Sequence, residues 1–359
     1  MEQLENIIGM LELMVRPAFC VKDGIVSGIN QGAKNHLICI GTPVQELIGT
    51  GWEEFSEFTN GCLYLTLDIG GHRSGASVTK HSGYDIFVLE QDADQAELQA
   101  MALAAQELRE PLASVMTVAD RLFPMICEDN SNQDQVARIN RGLYQILRTI
   151  SNMSDAARYH MESESILEVR DVTAVMEEIF QAAGSLIEQA GISVIFRNLP
   201  NRLFMLLDEE KLERAVHNIL SNAMKFTPKG GTIEATLSQR GTKLYLTVQD
   251  SGSGVDPAIR SGIHSRYLRQ PGLEDGRFGI GLGMVLIRAA ASAHGGTVLM
   301  EHPESTGARI TMTMEIRQDA AGTLRSQILK VDYSGERNHS LIELSDVLPA
   351  TLYKKENNN

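Results

Sequence analysis

Cysteine, positive charge and long apolar runs are all scarce in this chain. Its four cysteines, Cys20, Cys39, Cys62 and Cys127, show no Cys-x-x-Cys spacing. That argues against a zinc ribbon or a thioredoxin-type redox pair, and they read as reduced core thiols. Lysine and arginine number 32 against 46 acidic residues, a net charge of −14, so no general nucleic-acid or acidic-membrane binder is expected. No apolar run approaches membrane-spanning length, and the acidic N-terminus does not suit a signal peptide; the chain reads as cytoplasmic, without membrane insertion. What remains is a chain of 359 residues, 43% of them hydrophobic, enough for two or three domains with buried cores.

The stretch from Asp208 to Met284 is the one the rest is organised around. Asp208 suits an N-cap, and Leu212, Val216, Ile219, Leu220 and Ala223 recur at helical spacing behind it. Asn218 and Asn222 stand four apart and face the same way, with Lys225 a further turn on. Asparagine is a poor helix-interior residue, because its amide competes for backbone hydrogen bonds. Two in register with a lysine suit a face that presents oxygens to a hard cation and an ammonium to phosphate, although the three alone also fit an ordinary solvated face. Alternating segments at Ile233–Leu237 and Leu244–Val248 predict two strands that deliver Asp250 at a strand end. Gly252 and Gly254 then let the backbone approach a flat ring while the Asp250 carboxylate accepts from an exocyclic amine. Gly279, Gly281 and Gly283, around Leu282, expose backbone N–H groups at a helix start, an anion site. No βαβ unit surrounds these glycines and no acidic residue follows at ribose distance, so a Rossmann fold is not expected.

Together these pieces resemble sensor histidine kinases. Asn218-Ile219-Leu220-Ser221-Asn222-Ala223-Met224-Lys225-Phe226-Thr227-Pro228 is similar to their N box. Asp250-Ser251-Gly252-Ser253-Gly254 and Gly279-Ile280-Gly281-Leu282-Gly283 are similar to their two glycine boxes. The resemblance implies a Bergerat-type ATP-binding domain that takes ATP and Mg²⁺, with Asn222 on the metal, Asp250 reading adenine and a lid between Val255 and Phe278. Lys225, Arg266, Arg269 and Arg277 would supply local positive charge.

Upstream, residues 1–16 predict a short amphipathic helix. Ala18–Val21 and Ile25–Ile29 flank the hairpin turn Lys22-Asp23-Gly24. Asn30 and Thr42-Pro43 can open short helices, and strands are expected near Leu63–Asp68, Ser74–Lys80 and Ile86–Glu90. This order resembles a PAS sensor domain. His36, His72 and His81 read as surface or turn residues rather than haem ligands.

Two heptad seams follow. Leu98, Met101, Ala105, Leu108, Leu112, Val115, Ala119 and Leu122 form the first; Val136, Ile139, Leu143, Ile146, Ile150, Met153 and Ala157 form the second. One hairpin covers its own seams poorly and two copies cover them well, so a homodimer through residues 92–162 is expected. Within the first helix, Gln106-Glu107-Leu108-Arg109-Glu110-Pro111-Leu112 resembles the histidine kinase H box, with Gln106 at the phosphoacceptor position and Glu110 in place of threonine. A glutamine amide nitrogen is delocalised into its carbonyl and is no nucleophile, so Glu107, the family's assisting acid, is left as a remnant without a substrate. A carboxylate at position 110 disfavours phosphatase chemistry as well. His160 reads as a solvated helix-end residue.

The expected architecture is multidomain α+β. A PAS-like sensor domain (1–91) precedes a two-helix dimerisation hairpin (92–162) that forms a four-helix bundle in the dimer. A Bergerat-type α/β sandwich ATP-binding domain (163–317) and a C-terminal extension (318–359) complete the chain; the extension is expected to add a strand or helix packed on the ATP domain. The expected function is a sensor histidine kinase homologue that binds Mg-ATP but has lost cis autophosphorylation. Any phosphoryl transfer then goes to a response regulator or a partner kinase. The alternatives are a catalytically silent ATP-dependent switch and a serine/threonine kinase of the anti-sigma-factor type.

Overall fold

The computed structural model describes residues 2–90, 92–126, 132–161, 167–252, 282–301, 303, 307–318 and 337–354. Helix α1 (Glu2–Glu12) leads into the hairpin β1 (Ala18–Lys22) and β2 (Ile25–Ile29), which turns on Asp23 and Gly24, both at positive φ. Asn30 accounts for the next step. Its Oδ1 accepts from the Ala33 N–H (2.9 Å) and so caps α2 (Gln31–Asn35), while its Nδ2 donates to the carbonyls of Leu11 and Arg16 (3.2 and 2.8 Å) and ties α1 down. The short elements α3 (Val44–Leu47), β3 (Ile48–Thr50) and α4 (Trp52–Glu57) cross over to β4 (Cys62–Ile69), β5 (His72–His81) and β6 (Tyr84–Leu89). The sheet runs β2-β1-β6-β5-β4, and its inner face is filled by Phe19 stacked on Phe87 at 4.6 Å, with Phe55, Leu63, Leu65 and Leu67. Cys20 and Cys62 are buried free thiols as expected, but Cys39 is exposed. It follows Leu37, a residue at positive φ in the turn after α2, and so lies outside the core; Cys127 lies outside the described residues.

Helices α5 (Asp92–Ile126) and α6 (Gln133–Met161) form the long hairpin, and α5 runs unbroken through Pro111 and Pro124. The two seams split by depth. Leu98, Ala105, Leu112, Ala119, Val136, Ile150 and Ala157 are buried within the chain, whereas Leu108, Val115, Leu122, Ile139 and Ile146 are between 49% and 53% exposed.

Next, β7 (Glu168–Asp171) pairs with β9 (Phe204–Leu207) in a two-stranded sheet. Asp171 caps α7 (Val172–Gln189), and Gly191 at φ 90° turns the chain into β8 (Ser193–Arg197). Asp208 caps α8 (Glu209–Phe226) through the Lys211 N–H at 3.1 Å. The hairpin β10 (Thr232–Arg240) and β11 (Lys243–Asp250) alternates buried and exposed residues as its sequence requires. Helix α9 (Leu282–Ala293) returns the chain to β12 (Val298–Glu301) and β13 (Arg309–Glu315). Here the sheet runs β12-β13-β11-β10-β8, with β8 and β10 parallel. Aliphatic residues of α7 and α8 share one core with those of β10, β11 and β13.

Two features were not expected. First, β4 pairs antiparallel with β12 (Cys62 opposite Met300, Tyr64 opposite Val298), so both sheets merge into one of eleven strands. Each strand would otherwise be an edge with unpaired backbone groups. Lys243 on β11 reinforces the junction with Glu54, 2.9 Å from both carboxylate oxygens, and the Arg288 guanidinium lies over the Tyr64 ring at 4.7 Å. Second, the C-terminal α10 (His339–Glu343) and the 3-10 turn Ala350–Tyr353 pack against the hairpin as well as α7 and α8. Leu341, Ile342, Leu344, Leu348 and Tyr353 join the core of α6, α7 and α8, and Tyr353 meets Tyr144 edge to face at 5.3 Å. Residues 319–336 and 355–359 of the expected C-terminal extension lie outside the described residues.

Candidate functional site

Helix α8 is the axis of the site, and glycines bring the other motifs to it. Its Asn218 is buried, its Nδ2 donating to the Arg214 carbonyl one turn back (2.8 Å). A Cβ placed on Gly283 would sit 2.8 Å from Asn218 Oδ1, so α9 approaches α8 closely because residue 283 has no side chain. At the other end of α8, a Cβ on Gly252 would lie 2.2 Å from the Phe226 carbonyl oxygen, against backbone that cannot yield. The structure therefore gathers Asn218, Asp250, Gly252, Leu282 and Gly283 around one helix. Gly254, Gly279, Gly281, Arg266, Arg269, Arg277 and the lid segment lie outside the described residues.

Asp250 is buried at the end of β11. Its Oδ1 accepts from the Gly252 N–H at 2.9 Å and its Oδ2 from the Ala308 N–H at 3.2 Å. Burial pushes its carboxyl above the usual range, and these two N–H groups pull it back. Each oxygen retains a lone-pair site for a further donor. Asn222 is half-buried on the same helix, and its amide oxygen is a hard donor of the kind Mg²⁺ takes. Burial pulls the Lys225 ammonium down to about 8, and the nearby Arg148 charge adds to the effect. A cation desolvated beside another cation is a place where an anion is stabilised. The donor set of amide oxygens, a carboxylate, glycine backbone and compressed positive charge fits a magnesium nucleotide.

Gln106 and Glu107 lie exposed on α5, next to buried Ala105, as the seam predicts. Neither forms a hydrogen bond or ion pair with another described residue. At the base of the hairpin, Leu282 and Leu286 of α9 pack on Leu98, Ala156 and Tyr159, so the helix opened by the last glycine motif rests on the hairpin.

Sequence reasoning missed the charged layer between these helices. Arg148 of α6 donates from Nη2 to Asn218 Oδ1 at 3.4 Å and from Nη1 to Asp346 Oδ2 at 2.5 Å. Arg214 of α8 bridges Asp155 of α6 and the buried Glu343. Both arginines stand among mostly polar neighbours one turn away, Gln145, Ser151 and Asn152 around Arg148 and Glu210, Lys211, His217 and Asn218 around Arg214, so the sequence pattern is that of a solvated face. His217 was also missed. Its Nδ1 lies 2.9 Å from the Glu213 carbonyl, which can only accept, so Nε2 accepts from the Ser340 hydroxyl; burial holds its pKa down.

Residues 207–318 match the family model of the histidine kinase-, DNA gyrase B- and HSP90-like ATPases. The histidine protein kinase DivJ of Caulobacter vibrioides is 27% identical over 240 residues, which cover 62% of this chain and 40% of DivJ. The sensor protein QseC of Salmonella typhi is 30% identical over 201 residues, 54% of this chain and 42% of QseC. The solved structure of full-length ShkA in complex with AMPPNP aligns with a TM-score of 0.49 at 23% identity, over 62% of this chain and 47% of that one. The chain thus spans less than half the length of these relatives. Residues 207–318 thus carry an ATPase domain of this family, and the chain is similar to sensor histidine kinases over more than half of its length.

Proposed function

We propose that this chain is a sensor-kinase homologue that binds Mg-ATP and cannot phosphorylate its own hairpin. The observation that carries the nucleotide reading is the approach of Gly283 to Asn218 and of Gly252 to Phe226, which gathers the separate motifs around α8. Asn222 would hold Mg²⁺, a remaining lone pair of the Asp250 carboxylate would take the adenine amine, and Lys225 would face phosphate. Bound Mg-ATP supplies a transferable γ-phosphoryl group; the chain's own residues position and shield it. At Gln106 the exposed side chain is an amide without a nucleophilic lone pair, so the acceptor lies on another molecule, a response regulator or a partner kinase.

In this reading residues 1–91 are a PAS-like sensor, 92–162 the dimerising hairpin, 163–317 the ATP domain and 318–359 an extension, in the cytoplasm. The second reading is a catalytically silent switch, in which nucleotide occupancy changes a shape that a partner reads. The merged sheet favours it, since the sensor unit bears directly on the ATP domain through β4 and β12.

One experiment separates them. The purified chain is incubated with Mg·[γ-³²P]ATP alone and with candidate regulators. Label on the partner supports transfer; binding without label supports the switch; label on the Gln106 helix refutes both. Asn222→Ala is expected to abolish Mg-dependent binding, and unchanged binding would remove the metal assignment.

A further inference from the structure

We infer that Arg148 is a phosphate-binding residue supplied by the hairpin, and that the C-terminal segment occupies it with carboxylates standing in for phosphate oxygens. The inference rests on the nucleotide reading and extends it to the regulation of the same site.

The geometry is specific. Arg148 is only 3% exposed, yet it reaches from α6 to Asn218 on the motif face of α8. Its remaining contacts are with acids from residues 343 and 346: Asp346 at 2.5 Å and Glu343 at 3.8 Å from Nε. That Nε has no hydrogen-bond partner, an unusual cost for a buried guanidinium, whose planar fork normally binds two oxygens of one anion. A buried arginine fork holding one carboxylate oxygen closely, and left with an unsatisfied N–H, fits a two-oxygen anion better than its present partner. Phosphate is that anion. Lys225 lies in the same electrostatic neighbourhood, feeling both Arg148 and Asp346, and makes no ion pair among the described residues.

The acids are held there by packing. Leu341, Ile342, Leu344, Leu348 and Tyr353 are buried, the Asn140 amide donates to the Tyr353 carbonyl (3.1 Å), and Arg141 donates to the carbonyls of Ser345 and Asp346 (3.0 and 2.9 Å). Glu343 is committed to Arg214, whereas the Asp346 side chain is a quarter exposed and engages Arg148 at the rim. Asp346 is therefore the exchangeable competitor. When nucleotide binds, phosphate oxygens take the Arg148 fork and the Asp346 carboxylate turns to water; without nucleotide the segment straps the hairpin to α8.

The test titrates the full chain, Asp346→Asn, Arg148→Lys and the double variant with Mg·AMPPNP by calorimetry, with thermal melts confirming that each folds. Lysine at 148 keeps the charge and loses the fork. Asp346→Asn is expected to bind about five-fold tighter and Arg148→Lys about five-fold weaker, with the double variant resembling Arg148→Lys alone. A purely structural clamp would lower the melting temperature of Asp346→Asn and leave its affinity unchanged, which would overturn the inference while the ATP reading stands. If neither wild type nor Asp346→Asn takes up the nucleotide, both readings fall.

Discussion

The outward halves of the hairpin seams give the sharpest prediction. Leu108, Val115, Leu122, Ile139 and Ile146 each keep about half of their surface exposed in the single chain. Full burial of such a side chain is worth about 1.5–3 kcal/mol, so covering the remainder contributes about 1 kcal/mol each. Five residues from each of two protomers then supply about 10 kcal/mol gross, of the same order as the roughly 4–15 kcal/mol that association costs in lost freedom. After that cost at most about 6 kcal/mol remains, a dissociation constant of roughly tens of micromolar at best, so the dimer is expected near about 100 μM and is sensitive to one change. Val115→Glu removes burial twice and sets two carboxylates in an apolar seam, a loss of about 2–4 kcal/mol and roughly a hundred-fold in dissociation constant. Because Val115 is half-exposed within its own chain, the melting temperature of the monomeric fold should move little. Sedimentation or light scattering reads the assembly state, and circular dichroism reads the fold. A wild type that sediments as a monomer at about 100 μM, or a variant as dimeric as wild type, would refute the reasoning.

Three further outcomes are expected. Gly252→Ala drives a methyl against the Phe226 carbonyl, and should lower stability by about 1–3 kcal/mol and reduce nucleotide binding, read by denaturant melts and calorimetry; intact stability would mean the loop shifts freely. Lys243→Ala leaves the nearly buried Glu54 carboxylate without its ammonium at the β4–β12 junction. It should cost about 1–3 kcal/mol and raise protease sensitivity of the N-terminal unit; unchanged proteolysis would mean the junction is held by strand pairing alone. Burial holds His217 and His294 below the ordinary histidine value, so the unfolded chain takes up their protons first. Stability should be full above about pH 6.5 and fall as the pH drops below it, and His294→Gln should flatten that slope in pH-dependent melts.

Much of the site was legible because it depends on local geometry. A strand end and a helix follow from a few neighbouring residues, so Asp250 at the end of β11 and a helix bearing Asn218, Asn222 and Lys225 could be read directly. Gly252 and Gly283 were read as opening backbone to a ligand, whereas the structure places them against Phe226 and Asn218. The hairpin β1–β2, the caps Asn30 and Asp208, and the alternation in β10 and β11 were legible because they too depend on local sequence. Likewise, heptad spacing predicted Ala105 inward and Gln106 outward.

Arg148 and Glu343, by contrast, are nearly two hundred positions apart in the chain and share one charge network. Nothing local distinguishes an arginine that will be buried against a distant carboxylate from one on a solvated face, since the difference lies in the partner. The pairing of β4 with β12 is of the same kind: every strand edge carries the same backbone donors and acceptors, so sequence marks the strands but not which edges meet. Periodicity and glycine determined the parts and the chemistry they carry. Which face the C-terminal segment covers, and which cation it holds, was decided only when the helices packed, because burial and the strength of a charge pair belong to the assembled fold.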